Sequence, residues 1–258
     1  MRALVTGAGA RLGQAMALYL GGRGYDVAVH YAGSEAGAQY TVARLAAMGR
    51  KGVALQADLL DEDATQGLVA RAVEALGGPL TCLVNNASIF EYDNIATGTR
   101  ESWDRHMESN LRAPFVLTQH FAAQVPAPEM DAQGEPVAQG LVVNMLDQRI
   151  HKLTPEFMSY TIAKMGLWAM TRTTAQALAP RVRVNGIGPG PTLQGHRQSK
   201  DHFDKQRAAT VLKRGANPAD ITAALGYFLD APAITGQMLA VDGGQHLAWE
   251  TPDVLGLE

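Results

Sequence analysis

Residues 1–13 read MRALVTGAGARLG. The short apolar run ALVT (3–6) breaks at Gly7-Ala8-Gly9, and apolar residues then recur at helical spacing through Leu12, Met16 and Leu20. A strand that turns on glycines into a helix brings free backbone N–H groups and the positive end of a helix dipole to one point, where a phosphate can sit. The common dinucleotide fingerprint GxGxxG is not met, because Leu12 stands in the place of its last glycine. Taken alone, the turn also fits a glycine-rich helix entry that binds nothing.

Working outward, six more short apolar runs follow: YDVAVHY (25–31), GVALQA (52–57), LTCLVN (80–85), GLVVNM (140–145), VRVNGI (182–187) and GQMLAV (236–241). Segments with helical spacing lie between them, as in Leu68-Val69-Ala72-Val73-Leu76. Buried parallel strands read as continuous apolar runs joined by crossover helices. The expected fold class is therefore α/β: a doubly wound Rossmann sheet of seven parallel strands with helices on both faces, forming one domain over 1–258. The stretch 125–140, VPAPEMDAQGEPVAQG, reads as a surface loop before the fifth run and not as a domain boundary. A polar, loop-rich stretch begins at 188, and a substrate-side loop is expected around 188–215.

Composition bounds the function. Of the 258 residues 47% are hydrophobic and 18% charged, which suits a globular protein with a large core. A net charge of −3 and the lack of a basic run point away from nucleic acid and membrane partners. A single cysteine, Cys82, permits no intrachain disulfide. No apolar run approaches the roughly 18 residues of a membrane span, and the first residues lack a secretory pattern, so a cytoplasmic location is expected. None of the seven histidines has metal-site spacing; His196 and His202 read as a solvated loop, and no metal is expected. Cys82, Trp103 and Trp168 read as packing residues.

Cofactor candidates cluster at the ends of the first four runs. Gly7, Arg11, Leu12 and Gly13 form the turn. The second run ends His30-Tyr31-Ala32-Gly33-Ser34, with no acid before Glu35. An acid there would hold a free ribose 2′-OH. Without one a 2′-phosphate is not repelled; Ser34 can donate to it and Arg11 supplies a cation, so NADPH is expected over NADH. Asp58, followed by Leu59, either accepts from an adenine amine or serves as a turn or helix cap. Asn86 and Ala87 follow the fourth run, at the sheet edge where such folds bind ligands.

Tyr160 and Lys164, in SYTIAKMG, lie four apart and share a helical face. An ammonium beside a phenol favours the phenolate, so the Tyr160 pKa is expected below its reference of about 10, within reach of general acid catalysis. Such a pair is common on solvated helix faces and takes its weight from company. Asp147 precedes Tyr160 by thirteen residues, and Asn110 lies in the helix before the fifth run.

Over essentially its whole length the chain resembles the short-chain dehydrogenase/reductases: TGAGARLG, QADL, NNAS, SNLRAPF, YTIAK, RVNGIGPGPT and ITGQMLAVDGG stand in that family's order and spacing. The resemblance implies that Tyr160 is the catalytic tyrosine, that Lys164 holds the nicotinamide ribose and tunes Tyr160, and that Asn110 props the lysine through a water. It also implies that Pro189, Gly190 and Thr192 face the cofactor, and that the protein is a homo-oligomer, often a tetramer in this family.

Two departures bear on the substrate. Most members have glycine where Arg11 stands and serine where Asp147 stands. An ionised aspartate only accepts hydrogen bonds, so it cannot polarise a carbonyl as serine does. Both departures resemble the pteridine reductase branch. That resemblance implies that Ser88 hydrogen-bonds a pterin and that Phe90 stacks on it, with Arg11, Asp147 and Tyr160 also at the substrate. Gly195-His196-Arg197 and Leu212-Lys213-Arg214 are similar to that branch as well. The expected activity is hydride transfer from NADPH to a dihydropterin or dihydrofolate ring. Two alternatives stand beside it: a carbonyl reductase acting on a 3-oxoacyl thioester or a sugar, and a nucleotide-binding regulator without catalysis. Phe90 also fits an ordinary loop aromatic, Arg11 a phosphate ligand in any such enzyme, and Asp147 a drifted serine.

Overall fold

The computed structural model describes residues 1–195 and 198–251. Seven strands form one sheet: β1 (Arg2–Val5), β2 (Asp26–Tyr31), β3 (Gly52–Gln56), β4 (Cys82–Asn85), β7 (Gly140–Met145), β8 (Val182–Pro189) and β9 (Met238–Val241). Their order is β3-β2-β1-β4-β7-β8-β9, and every pairing is parallel. The chain steps outward from β1 to β3, returns to lay β4 beside β1, and then runs outward the other way. The crevice at this switch point opens at the carboxyl ends of β1 and β4, where the glycine turn and Asn86 lie.

Side chains alternate across the sheet, and each set meets its own helices. Ala3, Val5, Val27, Val29, Cys82 and Val84 pack with α1 (Arg11–Gly22), α2 (Glu35–Ala47) and α8 (Pro218–Asp230), through Met16, Leu20, Leu45, Leu225 and Phe228. Leu4, Ala28, Leu83 and Val142 face the other way, onto α3 (Glu62–Leu76), α5 (Ala113–Gln124) and α6 (Met158–Leu178), through Leu68, Leu117, Phe121 and Ala175. Both faces are buried, which explains why the strands read as unbroken apolar runs.

Two stretches read as loops carry structure. Within 125–140, β5 (Glu129–Met130) and β6 (Pro136–Val137) pair as a small antiparallel hairpin. Asp131 Oδ1 accepts from the Gln133 and Glu135 N–H groups, and Gly134 takes φ +79, so the turn is built by one aspartate and one glycine. Within 188–215, α7 (Lys200–Ala208) forms, with Ser199 Oγ accepting from the His202 N–H at its start. Its polar sequence buries no residue, so hydrophobic periodicity did not announce it. Before α5, α4 (Arg100–Met107) runs into a π-helical turn, Glu108–Arg112, which holds Asn110.

Candidate active site

The glycine turn is locked from two sides. Thr6 Oγ1 accepts from the Asn86 and Ala87 N–H groups at 2.8 and 2.9 Å, and Asn86 Nδ2 donates to Thr6 O at 2.8 Å. Gly7 has φ +63, and a Cβ at Gly13 would lie 2.2 Å from Gly7 O and 2.6 Å from Asn86 Nδ2. Gly13 therefore does the close-packing work of a fingerprint glycine from one place later in the chain. Gly7, Arg11, Leu12, Gly13, Tyr31, Ser34, Asn86 and Ala87 all border one cleft of about 370 Å³. Ser34 makes no side-chain cap bond at the start of α2, so its hydroxyl is available to a ligand.

Three expected cofactor residues border neither this cleft nor the adjoining one at Tyr160. His30 lies behind the turn, 1% exposed. Its Nδ1 accepts from the Gly7 N–H at 3.0 Å, so Nε2 carries the proton and donates to Ala57 O at 3.1 Å. Burial pushes this imidazole down to about 4. His30 thus supports the turn through its backbone, and no ring nitrogen is left for a cofactor. Leu59 is buried in the core beneath β3. Asp58 is exposed, and its Oδ1 accepts from the Leu60 N–H at 3.0 Å, so it makes a turn while Asp61 caps α3.

Arg11, at φ +52, takes the left-handed conformation that favours glycine. Its guanidinium donates to Leu193 O and Gln194 O at 3.1 and 2.8 Å, bridging the turn to the segment after β8. It borders both the first cleft and a second one of about 360 Å³, which also share Leu12, Asn86 and Ser88. The second cleft holds Asp147, Tyr160, Lys164 and Phe90, with Pro189, Gly190 and Thr192 along it.

Asp147 leaves the end of β7. Its Oδ1 accepts from the Arg149 N–H at 2.8 Å, and its Oδ2 accepts from Tyr160 OH at 2.9 Å. Burial pushes the Asp147 carboxyl up, against those two hydrogen bonds. Tyr160 is also buried, and that burial together with the Asp147 charge raises its pKa well above 10. This reverses the expected lowering by Lys164: the nearest group facing the phenol oxygen is a carboxylate, which stabilises the protonated phenol. Lys164 Nζ lies 5.6 Å from the Tyr160 ring centroid and donates to Met145 O at 2.7 Å. Burial brings this ammonium down to about 8, which the Asp147 charge resists. Tyr160 is thus a neutral acid, hydrogen-bonded to a carboxylate that itself tends to take up a proton.

Asn110 acts on the loop after β4. Its Oδ1 accepts from the Ile89 N–H and its Nδ2 donates to Ile89 O, both at 2.8 Å. This clamps the backbone between Ser88 and Phe90, and the π-helical turn gives Asn110 its orientation. Ser88 lies within hydrogen-bonding reach of Tyr160. Phe90 is 49% exposed, with its ring stacked on Phe157 at 4.2 Å and edge-on to Tyr160 at 4.7 Å. Gln148, Arg149 and Phe203 also border the cleft, and Phe157 backs it; nothing in their spacing singled them out. His196 and Arg197 lie outside the described residues. Among the described residues no group of histidine, cysteine and acidic side chains could hold a metal ion, and no helix is long and apolar enough to cross a membrane.

The family model described as enoyl-(acyl carrier protein) reductase matches residues 7–246. A short-chain dehydrogenase/reductase from Armillaria gallica is 32% identical, over 94% of both chains. A 3-oxoacyl-[acyl-carrier-protein] reductase from Staphylococcus epidermidis is 30% identical, over 95% of this chain and 98% of that protein. Among solved structures, FolM alternative dihydrofolate reductase 1 from Brucella canis, complexed with NADP, superposes with a TM-score of 0.90 at 42% identity, covering 98% of this chain and 96% of the other. A blue fluorescent protein from a metagenomic library, in complex with NADPH, gives 0.85 at 30% identity, over 95% of this chain and 97% of the other. With its doubly wound sheet and its Tyr160, Lys164 and Asn110 set, the chain belongs to the short-chain dehydrogenase/reductase family.

Proposed function

We propose that the protein is an NADPH-dependent reductase of a pterin ring, of the dihydropterin or dihydrofolate class. The observation that carries this reading is the half-buried Asp147 hydrogen-bonded to Tyr160 at the cleft wall, where a carbonyl reductase needs a donor. The 42% identity to a protein described as an alternative dihydrofolate reductase supports it.

The residues fit the cofactor. The glycine turn leaves no room for a side chain at Gly13 and holds Gly7 in the left-handed conformation, a tight turn at which backbone N–H groups can approach a pyrophosphate. Tyr31 to Ser34 carry no acid to repel a 2′-phosphate, and Ser34 keeps a free hydroxyl. The chemistry supplied by bound NADPH is hydride transfer, here to C6 or C7 of the ring.

The chain's own residues do the rest. Phe90 offers a flat apolar face to a heterocycle. Ser88 holds the ring edge. Tyr160, kept protonated by burial and by Asp147, passes a proton to the ring nitrogen next to the carbon that is reduced, directly or through a water; the Asp147 carboxyl, which burial inclines to take up a proton, returns one from solvent to the phenolate. Lys164 holds the nicotinamide ribose. Arg11, at the junction of the two clefts, neutralises phosphate charge and reaches toward the substrate. The C=N bond gains one hydride at carbon and one proton at nitrogen, so the reaction balances. We take 1–258 as one catalytic domain, with 188–215 as its substrate-side segment, working as a homo-oligomer.

The test follows NADPH absorbance against 7,8-dihydropterins and dihydrofolate, with an acetoacetyl thioester as control. Turnover of the pterins alone supports the reading; turnover of the thioester alone replaces it with the carbonyl reductase that the Staphylococcus epidermidis relative suggests. Asp147→Asn should lower turnover about 100-fold, the range of a lost proton-transfer partner, while NADPH affinity stays within about twofold. Unchanged turnover would remove Asp147 from the mechanism.

A further inference from the structure

Phe157 stands out on backbone grounds. It precedes α6 with φ +57, a conformation that bulky side chains rarely adopt and that persists where the surroundings hold it. Here they do: Asp93 O accepts from the Phe157 and Met158 N–H groups at 2.8 and 3.3 Å. The result is that the Phe157 ring lies flat on Phe90, 4.2 Å away and 10° from parallel. Tyr92 meets Phe157 edge-on at 5.2 Å, and the Arg149 guanidinium lies 5.2 Å from the Phe157 ring centroid. One face of Phe90 is therefore covered, and the ring remains half exposed at the cleft.

A buried polar chain holds the same segment. Asp93, His106 and Ser159 are 2%, 0% and 3% exposed. Asp93 Oδ1 accepts from the Ser159 N–H at 3.1 Å, and Asp93 Oδ2 accepts from Ser159 Oγ and from Ser102 Oγ. His106 Nε2 accepts from the Glu91 N–H at 3.1 Å, so its Nδ1 carries the proton and donates to Ser159 Oγ at 2.7 Å. Ser159 thus ties both ends of the Glu91–Asp93 stretch to α6, one residue before Tyr160. Phe90 is the neighbour of Glu91, so its ring is fixed relative to the phenol it touches edge-on.

We propose that Phe157 is a positioning residue that backs Phe90 as one fixed aromatic wall, and that the Asp93–Ser159–His106 chain holds this wall in register with Tyr160 so that a single flat ring is received on the open face of Phe90. The proposal rests on the pterin reading for the identity of that ring. Removing the backing leaves chemistry groups and cofactor cleft untouched, so the loss belongs in substrate binding. Phe157→Leu is expected to raise the dihydropterin KM roughly five- to tenfold, the scale of one lost aromatic stacking contact. The NADPH KM and kcat should stay within about twofold, and Phe157→Tyr should restore the substrate KM.

Ser159→Ala should raise the same KM, because it removes the hydroxyl that joins Asp93 Oδ2 to His106 Nδ1 and leaves only the backbone N–H on Asp93 Oδ1. Ser102→Ala is the control: it removes another donor to the same Asp93 carboxylate and should lower the melting temperature without moving the KM. An unchanged substrate KM in both Phe157→Leu and Ser159→Ala overturns the proposal while leaving pterin reduction intact. A KM raised as much by Ser102→Ala as by Ser159→Ala also overturns it, since a general loosening would then explain both. If the wild type reduces no pterin, the substrate reading fails first. The wall is then judged by titrating folate, as a flat heteroaromatic probe, into the NADP-loaded wild type and Phe157→Leu: weaker binding to the variant retains it, and equal binding or none to either overturns it.

Discussion

The His30 imidazole shows how one buried side chain ties cofactor binding to acidity. It is neutral because burial opposes its charge, and it accepts from the Gly7 N–H only in that state. In the unfolded chain it would take up a proton near its ordinary value of 6.5, whereas in the fold it resists until about 4. Between those values the unfolded state binds more protons, so this residue's contribution to stability is complete above pH 6.5 and is lost as pH falls toward 4. The whole loss corresponds to about 3 kcal/mol. Denaturant unfolding of the wild type should weaken across that window, and His30→Gln should show a flatter profile; parallel profiles would remove His30 as the cause. The same logic of environment over type governs Tyr160: its nearest charged partner is a carboxylate, and a phenol so placed keeps its proton.

Among the elements, the turn between β1 and α1 carries the tightest steric demand. Residue 13 faces the carbonyl of Gly7 and the amide of Asn86, both already engaged in the lock between β1 and β4. Gly13→Ala has no free volume to use, and overpacking of this kind costs about 1–3 kcal/mol. The strain falls where the backbone approaches the cofactor, so NADPH affinity measured by titration should drop by roughly tenfold or more, with a smaller fall in melting temperature. Unaltered affinity would mean that the turn can shift without consequence. The loop after β4 is the second demanding element, held by Asn110 at Ile89, His106 at Glu91 and Ser159 at Asp93. Those three partners come from the π-helical turn, α4 and α6, which is why no local pattern around Phe90 reveals how it is fixed.

On the scale of the whole molecule, α4, α5 and α6 each present exposed apolar side chains: Trp103 on α4, Phe115 on α5, and Ile162 and Met165 on α6. Large apolar groups left in water on packed helices are candidates for a surface of association. A homo-oligomer is expected by analytical ultracentrifugation at micromolar concentration, with Phe115→Glu shifting it toward smaller species; a monomeric wild type would leave these side chains without that role. The fold itself was legible in the chain because a strand buried on both faces must be apolar throughout, and seven such runs alternate with helical spacing. The small hairpin at 129–137 and helix α7 were not legible, since neither buries a continuous apolar face.

The proposed catalytic set divides along the same line. Tyr160 and Lys164 share a helix and Arg11 lies in a strand-to-helix turn, so their placement follows from local geometry, and Asp147 could be placed at a strand end because it follows the run GLVVNM by two residues. What the tertiary structure alone decided is what each group meets. Burial and a 2.9 Å hydrogen bond make Tyr160 a stronger keeper of its proton than a neighbouring lysine would suggest. Packing put His30 behind the cofactor turn and Leu59 in the core, and turned Asp58 to its own loop. It also brought Phe157 and Asp93 from distant segments to Phe90. Spacing along a chain carries periodicity, and so it reports which face of an element a residue occupies. Dielectric environment and the partner across a cleft arise only when separate elements pack, and those are the quantities that set a pKa or orient a ring.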